Sequence, residues 1–520
     1  MPLQGNQQKR VLGLGSATST VVCNMIGAGI FMTTGLFAAD LGSNVGILAV
    51  WVLSGVLALC GSLCAIELAS IWPEAGGNYV FIRNIFGRPA GFVAGFSMAF
   101  FGITGSIAFV AGSFGSYMEN LFPYIPLQIA ASFAVVFVTA IHAIGVREGN
   151  ALNVFGAFFK ISLLLAFIVL GFSTESTAAP SVLAQAKPIR SLGAEIAVFG
   201  AALAMTSFAY QGNMATSFIG GEIRHPEKNL KRSMLLGMSI VTLLYLLING
   251  VFLWAAAPHE MAQEDAIGFF AAKRLFGDSI GIAFNMLIML VFFLTLGVAI
   301  MIGSRVIYSM ASRGELPKRM AHLNRRGSPV NALVLMCALS LILIWSTKLK
   351  ELVESVGTLI TLTTGVAVAG VIVLRIRKPD LHRPSRIPWF PLPPIVFLSF
   401  TAWMTWSVMS TNATSVILIL GIIALGLIVW VSFLRKKKIT SKQPRKHHTV
   451  IHFNFSKHLD RRIPRYINYT LDNREQYKHS YMRTKSKLHI RVSPSFRHTI
   501  PQLVIAHTRR ILIFSRPNTS

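Results

Sequence analysis

The stretch Met25–Phe31, which reads Met-Ile-Gly-Ala-Gly-Ile-Phe, interrupts the first long apolar segment of this 520-residue chain. Gly27 and Gly29 each cost about 1 kcal/mol relative to alanine inside a helix. Unwound backbone at the middle of a membrane is tolerated only where it is buried in protein or lines a cavity, where its free N–H and C=O groups can bind a ligand. The two glycines therefore predict a binding site. A GxxxG-like packing face or a simple kink is the alternative.

The composition is that of a membrane protein, because 53% of the residues are hydrophobic and only 13% are charged. Segments of about 20 apolar residues are long enough to cross roughly 30 Å of hydrocarbon. The sequence therefore predicts an all-α polytopic membrane domain over residues 11–434, whose first segment lacks a signal-peptide cleavage site and should be retained. Its twelve predicted spans lie near 11–38, 44–71, 90–116, 126–144, 151–172, 193–219, 233–256, 279–310, 330–346, 352–374, 390–409 and 413–434.

The distribution of Lys and Arg predicts the orientation, since basic residues are enriched in cytoplasmic loops. With residues 1–10 as a cytoplasmic N-terminal segment, the inner loops carry most of the basic residues of the membrane domain. Six fall in the outer loops: Lys187, Arg190, Lys273, Arg274, Lys348 and Lys350. Both termini are therefore predicted to be cytoplasmic, in a multi-pass protein of the cell (inner) membrane.

Residues 435–520 form a basic tail, in which three acidic residues accompany the Lys and Arg of a chain whose net charge is +28. The first prediction is a disordered cytoplasmic tail lying on anionic lipid. The alternatives are an extension without a function of its own and, least favoured, a nucleic-acid-binding segment, since no recognisable module accompanies the charge.

Enzymatic and metal chemistry find little support in the sequence. Cys23, Cys60, Cys64 and Cys337 all fall in apolar segments, so they predict packing residues and no extracellular disulfide framework. Motifs for zinc hydrolases, serine hydrolases and P-loop proteins do not occur. We therefore expect no cofactor, no metal and no catalytic residues.

A second polar interruption, at 206–213, lies in the sixth predicted span. It contains Phe208, Ala209 and Tyr210 followed by Gln211 and Gly212. Interrupted helices at corresponding positions of two five-helix halves indicate an inverted-repeat transporter with its site at the midplane. The two interruptions together predict secondary transport more strongly than a channel.

Several motifs resemble the amino acid–polyamine–organocation superfamily, and in particular its L-type amino acid transporter branch. They cover residues 10 to about 434 and comprise 26–31 (Ile-Gly-Ala-Gly-Ile-Phe), Glu67 with 73–79 (Pro-Glu-Ala-Gly-Gly-Asn-Tyr), 208–210, 221–230, Arg305 with 311–317, and 375–388. The resemblance implies a LeuT-like 5+5 inverted repeat with helices one and six broken.

The resemblance also implies a substrate site. The N–H groups of Gly27, Ala28 and Gly29 are expected to hold the α-carboxylate, which suits the positive end of a half-helix. The α-ammonium is expected at the free carbonyls of the two breaks. Those carbonyls belong to Met25, Ile26, Phe208, Ala209 and Tyr210, with Gly212 as a further substrate-binding residue.

Two side chains are given roles in transport by the same resemblance. Phe208 matches an aromatic gate above the substrate, with packing against lipid or core as the alternative. Lys160 is the one lysine within a predicted span, and it matches a lysine standing in the place of sodium, which implies sodium-independent transport. Its alternative is snorkelling to the inner interface.

Specificity and partners follow from what the residues lack. No Asp or Glu is predicted near the site, which favours neutral amino acids over cationic ones. Glu67 and Glu222 are predicted at helix ends, Glu67 as an inner latch to an arginine. The loop 117–124 has no cysteine, so no covalent heavy chain is expected.

The sequence thus predicts an amino acid transporter that works by alternating access, through proton symport or amino acid exchange. A transporter of cationic amino acids or polyamines and a transporter-like nutrient sensor are the alternatives. The amino acid, the coupling mode and the oligomeric state are left open by the sequence.

Overall fold

A computed structural model of the protein describes residues 13–72, 76–144, 147–177, 191–214, 223–261, 264–324 and 326–434. The chain divides into two units, 1–438 and 439–520, and all described residues lie in the first. The predicted N-terminal segment 1–10, the tail 435–520 and Glu222 lie outside the described residues, so the predictions for them stay predictions.

Eight helices make up the first part of the described chain. They are α1 Leu14–Met25, α2 Ala28–Leu41, α3 Asn44–Ile71, α4 Asn78–Phe86, α5 Arg88–Ser97, α6 Thr104–Leu121, α7 Leu127–Ile144 and α8 Arg147–Phe172. A π-helical segment, Met98–Ile103, joins α5 to α6, so that 88–121 is one long apolar helix.

Eight further helices follow. They are α9 Leu192–Tyr210, α10 Pro226–Ala255, α11 Ile267–Phe276, α12 Asp278–Ser312, α13 Val330–Ser346, α14 Leu349–Arg377, α15 Leu392–Thr411 and α16 Ala413–Val429. Short 3-10 helices occupy Gln211–Met214 and Lys318–Ala321, and a π-helical segment, Trp430–Leu434, extends α16.

Nine helices of the described residues are long and apolar enough to cross a membrane. Three shorter apolar helices, Ala28–Leu41, Phe158–Phe172 and Val330–Ser346, lie in predicted spans one, five and nine. Span one falls short because its helix is divided after Met25. The chain is therefore a multi-pass helical membrane protein, while the count of twelve and the inverted repeat stay predictions.

Helix ends are fixed by local polar groups. Ser43 accepts a hydrogen bond from the N–H of Gly46 at the start of α3, and Asn412 accepts from Thr414 and Ser415 at the start of α16. Gly42 ends α2 in the left-handed conformation, at φ 57°. These caps allow tight connections between long apolar helices.

The centre of the bundle is built around α9. It packs against α2, α3, α14 and α15, while α1 packs against α10 and α6 packs against α12. Large apolar side chains on the outer helices, such as Phe133, Phe158 and Ile417, are more than half exposed. Such a surface is suited to lipid, and it leaves the polar residues for the interior.

Candidate functional site

The first helix is broken at the predicted place. Helix α1 ends at Met25 and α2 begins at Ala28, while Ile26 (φ −73°, ψ 105°) and Gly27 (φ −159°, ψ −149°) leave the helical conformation. The first-turn N–H groups of a helix have no acceptor within it, and Gly27 supplies no side-chain cap to α2. The start of α2 therefore presents its free backbone N–H groups and the positive end of its dipole at the break.

The second break begins later than the sequence indicates. Helix α9 remains helical through Phe208, Ala209 and Tyr210, and it changes to a 3-10 helix at Gln211. The Gln211 N–H donates to the carbonyl of Phe208. The three residues are thus the last turn of a helix, where carbonyls lack intrahelical partners, and not an unwound segment.

Two glycines bring the breaks together. A Cβ on Gly29 would lie 2.6 Å from the Cβ of Ala209 and 2.7 Å from its Cα, so α2 and α9 touch here. A Cβ on Gly212 would overlap the backbone of Asn24 and Met25. Both glycines are needed for close backbone approach, so a larger residue at position 29 tests helix packing as well as ligand binding.

The hydroxyl of Tyr245 forms hydrogen bonds with two carbonyls that the sequence predicts to be free. Tyr245, on α10 and fully buried, places its Oη 2.5 Å from the carbonyl oxygen of Met25 and 3.2 Å from that of Ala209. Its single proton is shared between the two breaks. The expectation that these two carbonyls are unpaired is therefore wrong in this conformation, because a side chain from a third helix satisfies them.

Lys160 lies in the interior, between three helices. Its side chain is 0% exposed, and its Nζ donates to Thr295 Oγ1 at 2.8 Å. Thr295, on α12, lies 3.5 Å from the carbonyl oxygen of Ile26 and would contact a Cβ on Gly27 at 2.8 Å. The ammonium group thus ties α8 to α12 beside the first break, a position that does not fit the snorkelling alternative.

Phe208 packs against an aromatic ring from another helix. Its ring meets that of Phe109, on α6, edge to face with centroids 5.1 Å apart. On α14, Gly357 packs so closely on α9 that its Cβ would overlap the carbonyl of Ala204 and touch Phe208 Cβ at 3.5 Å. Phe208 is therefore at a meeting point of α6, α9 and α14, and its role as a gate stays a prediction.

A buried polar network beside the breaks was missed by the sequence analysis. Trp51 Nε1 donates to Thr34 Oγ1 at 3.1 Å, and Thr34 donates to Asn249 Oδ1 at 2.6 Å. The rings of Trp51, Tyr210 and Tyr245 form a cluster with centroids 5.2–6.0 Å apart. A lone Asn or Thr within a long apolar span is the signal that could have found it.

The ends of the helices that are predicted to be cytoplasmic carry two buried carboxylates. Glu67, at the end of α3, receives the guanidinium of Arg375, lies 3.4 Å from Arg383 Nε, and accepts from the backbone N–H of Ile387. The predicted pairing of Glu67 with an arginine is thus present. The second is Glu315, described below.

Glu315 lies just after α12, within the motif 311–317. Tyr79 donates its hydroxyl to Glu315 Oε2 at 2.6 Å, and Arg83 Nε donates to Oε1 at 3.1 Å. The carboxylate is fully buried, so α4 is fastened to the end of α12 by a charge that has two donors.

Comparison with known proteins adds the identity of the fold. The family described as amino acid permease matches residues 12–440. The large neutral amino acids transporter small subunit 2 of Rattus norvegicus is 29% identical over 404 residues, which are 76% of this chain and 75% of that protein.

Two further relatives are also amino acid transporters by name. The serine/threonine exchanger SteT of Bacillus subtilis is 28% identical over 444 residues, which are 84% of this chain and 100% of that one. The Asc-type amino acid transporter 1 of Mus musculus is 28% identical over 407 residues, with 76% of each chain covered. These proteins are transporters and not enzymes. With 12–440 matched by one family, this chain belongs to the amino acid permeases of the amino acid–polyamine–organocation superfamily.

Proposed function

We propose that the chain is a secondary active transporter that moves amino acids by alternating access, without sodium, by proton symport or amino acid exchange. The observation that carries the proposal is the junction of the two breaks, where Gly29 touches Ala209 and Gly212 touches Asn24. An amino acid zwitterion needs hydrogen-bond donors for its carboxylate and acceptors for its ammonium close to each other. The N-terminus of α2 supplies the first and the C-terminus of α9 the second.

The substrate roles follow from that junction. The carboxylate is assigned to the backbone around Gly27, Ala28 and Gly29, and the ammonium to the carbonyls of Ile26 and of the last turn of α9. The Met25 and Ala209 carbonyls become available when the hydroxyl of Tyr245 gives way. A substrate ammonium would thus replace the hydrogen bond that the Tyr245 hydroxyl makes to these carbonyls.

Lys160 takes the place of a coupling ion. Its ammonium is covalently fixed, buried, and bonded to Thr295 next to Ile26, so a positive charge is present there without sodium. A buried lysine is costly unless it serves a function. We therefore propose that it holds α8 and α12 to the first break during transport.

Neutral amino acids are the proposed substrates. Glu354 is a buried carboxylate on α14, one turn from Gly357. Its Oε2 accepts two hydrogen bonds. Asn412 Nδ2, between α15 and α16, donates at 2.6 Å, and Ser415 Oγ, at the start of α16, donates at 3.2 Å. No described contact directs it at the breaks, which supports neutral over cationic side chains. Of the relatives described above, the rat protein is named for large neutral amino acids and SteT for serine and threonine.

The remaining predictions complete the proposal. The protein lies in the cell membrane with both termini in the cytoplasm, and the basic tail lies on anionic lipid. The rat relative is named a small subunit, whereas loop 117–124 offers no cysteine to a second chain. We therefore propose that the permease works without a covalent partner.

Uptake into proteoliposomes with a panel of labelled amino acids tests the proposal. Wild-type uptake should be unchanged when choline replaces sodium, and it should respond to a proton gradient or to internal amino acid.

Lys160→Ala should lower uptake about 10- to 100-fold, the loss expected for a charge-assisted hydrogen bond. Thr295→Val should act in the same direction, while Thr295→Ser keeps the hydroxyl and serves as the matched control. Strict sodium dependence, or wild-type uptake by Lys160→Ala, would contradict the role given to the lysine.

A further inference from the structure

Residues 264–276, which we call the lid, comprise a short segment and helix α11, and they rest on the start of α2. Tyr117, on α6, lies at the contact and is 0% exposed. Its hydroxyl donates to the carbonyl oxygen of Phe31 at 2.9 Å and accepts from the N–H of Gly268 at 3.1 Å. One hydroxyl group therefore joins α2, α6 and α11.

Two glycines, Gly35 of α2 and Gly268 of the lid, allow the lid backbone to approach α2 closely. A Cβ on Gly35 of α2 would overlap the carbonyl oxygen of Glu264. A Cβ on Gly268 would lie 2.9 Å from both Phe31 Cδ1 and Tyr117 Oη. The lid has no room for a side chain at either place, so its backbone packs directly on the backbone at Gly35 and on the side chains of Phe31 and Tyr117.

The ring of Tyr117 is held independently of its hydroxyl. It packs edge to face on Phe292 of α12 with centroids 5.0 Å apart, and Phe292 also meets Phe31 at 6.2 Å. Asn285 Nδ2 donates to the backbone carbonyl of Tyr117 at 3.0 Å. The pair α6 and α12 thus forms a fixed support that presents one hydroxyl to two other elements.

We propose that Tyr117 is the latch of an extracellular lid, a positioning residue that couples lid closure to the substrate cradle. Phe31 follows Ala28 by three residues, so the latch holds α2 one turn from the proposed carboxylate site. An outer cavity of about 780 Å³, lined by Asp40, Gly112 and Asp265 among others, lies beside it. The inference rests on the proposed function for its direction, since it takes this face as the extracellular one.

Accessibility of a reporter cysteine tests the latch. Ile288, on α12, is 0% exposed and would touch a Cβ on Gly268 at 3.0 Å, so it lies beneath the lid. We would introduce Ile288→Cys after replacing the native cysteines by alanine, and follow its reaction with a membrane-impermeant methanethiosulfonate added outside intact cells. Tyr117→Phe removes both hydrogen bonds of the hydroxyl, so it should raise the labelling rate by about fivefold or more.

Two further variants sharpen the result. Gly35→Ala should also speed labelling, because its methyl group would push the carbonyl of Glu264 away. Ser113→Ala is the matched control, since Ser113 is a buried residue one turn away on α6 whose hydroxyl donates to its own helix at Phe109. Its labelling rate should equal that of the wild type. A wild-type rate in Tyr117→Phe would overturn the latch, whatever Gly35→Ala does.

A measurement on the unaltered protein guards against a variant that fails to fold. Hydrogen exchange should find the Gly268 amide protected, although first-turn amides have no acceptor within their helix. Exchange as fast as that of an exposed amide would also overturn the latch. Neither experiment needs a substrate, so a failed uptake assay would count against the proposed function and leave the latch standing.

Discussion

The two ends of the bundle are closed by different chemistry. At the end taken as cytoplasmic, Glu67 is 1% exposed and is bonded by Arg375, Arg383 and a backbone N–H. At the other end, the contact of the lid with α2 and α6 is made by the uncharged hydroxyl of Tyr117. Removing one partner of a buried ion pair costs about 3–5 kcal/mol, whereas a neutral hydrogen bond is worth about 0.5–1.5 kcal/mol. The comparison indicates that the outer closure is the one that opens at small cost.

The inner closure is also spread over more elements. Glu67 joins α3 to the end of α14 and to the segment after it, and Glu315 joins α4 to the end of α12. Each carboxylate has at least two donors. Loss of one hydrogen bond therefore leaves either cluster partly formed, while loss of the Tyr117 hydroxyl removes both bonds of the latch together.

The largest expected effect comes from breaking the inner closure. Glu67→Ala should lower the free energy of unfolding by about 3 kcal/mol, because it leaves Arg383, which is nearly buried, without its carboxylate. Titration of the purified protein with a denaturing detergent measures the change. Asp278→Asn is the control: its pair with Lys273 is more than half exposed on both sides, and such pairs add little. Equal stabilities for the two variants would remove the contrast between the ends.

The sequence predicted the first break well because glycine is a local signal. Gly27 and Gly29 mark the residues between Met25 and Ala28 where the helix ends and restarts. Lys160 was equally visible, since a lysine within an apolar span is rare. Its contact with Thr295 is present, and its role in coupling stays a prediction.

The partners of those residues could not be predicted from the sequence. Tyr245, Thr295 and Tyr117 lie in long apolar helices, and which neighbour each one faces depends on how the helices rotate and pack. The same reason explains the error at Met25 and Ala209, whose carbonyls the sequence predicts to be free although Tyr245 reaches them across the bundle. The later start of the second break, at Gln211, follows from the packing of α9 on its neighbours.

An intermediate effect is expected from pH at the outer closure. Burial raises the pKa of Asp265 from its ordinary value of 3.8, with a further increase from Glu119 on α6. Burial also raises the pKa of Glu264 from 4.5, with a contribution from Asp265. A raised pKa means that the closed lid binds protons more tightly than an open one. Closure is therefore favoured at low external pH and is weakened as the pH rises through the raised values.

Labelling of Ile288→Cys measures this dependence. The rate should rise about two- to fivefold between pH 5 and 8, after division by the rate of an Asp265→Asn variant, which removes one titrating group while the reactivity of the thiol changes in the same way. Asp40 and Lys350 line the same outer cavity as Asp265. A ratio that falls with pH would reverse the sign and contradict the assignment of Glu264 and Asp265 to the lid.

The smallest effect is expected from the charged contact between Lys350 and Asp40, which crosses the outer cavity. Lys350 Nζ lies 2.8 Å from Asp40 Oδ2 and so joins α14 to the end of α2, but the two side chains are 46% and 40% exposed. Exposed pairs of this kind contribute about 0.2–1 kcal/mol and are screened by salt.

Asp40→Asn should change the labelling rate of Ile288→Cys by at most about twofold at low ionic strength, and by less in about 0.5 M salt. Tyr117→Phe should keep its larger effect at both salt concentrations, because a buried neutral hydrogen bond is not screened. If Asp40→Asn instead opened the lid as strongly as Tyr117→Phe, the outer closure would depend on charge after all, and the difference between the two ends of the bundle would be one of exposure and not of chemistry.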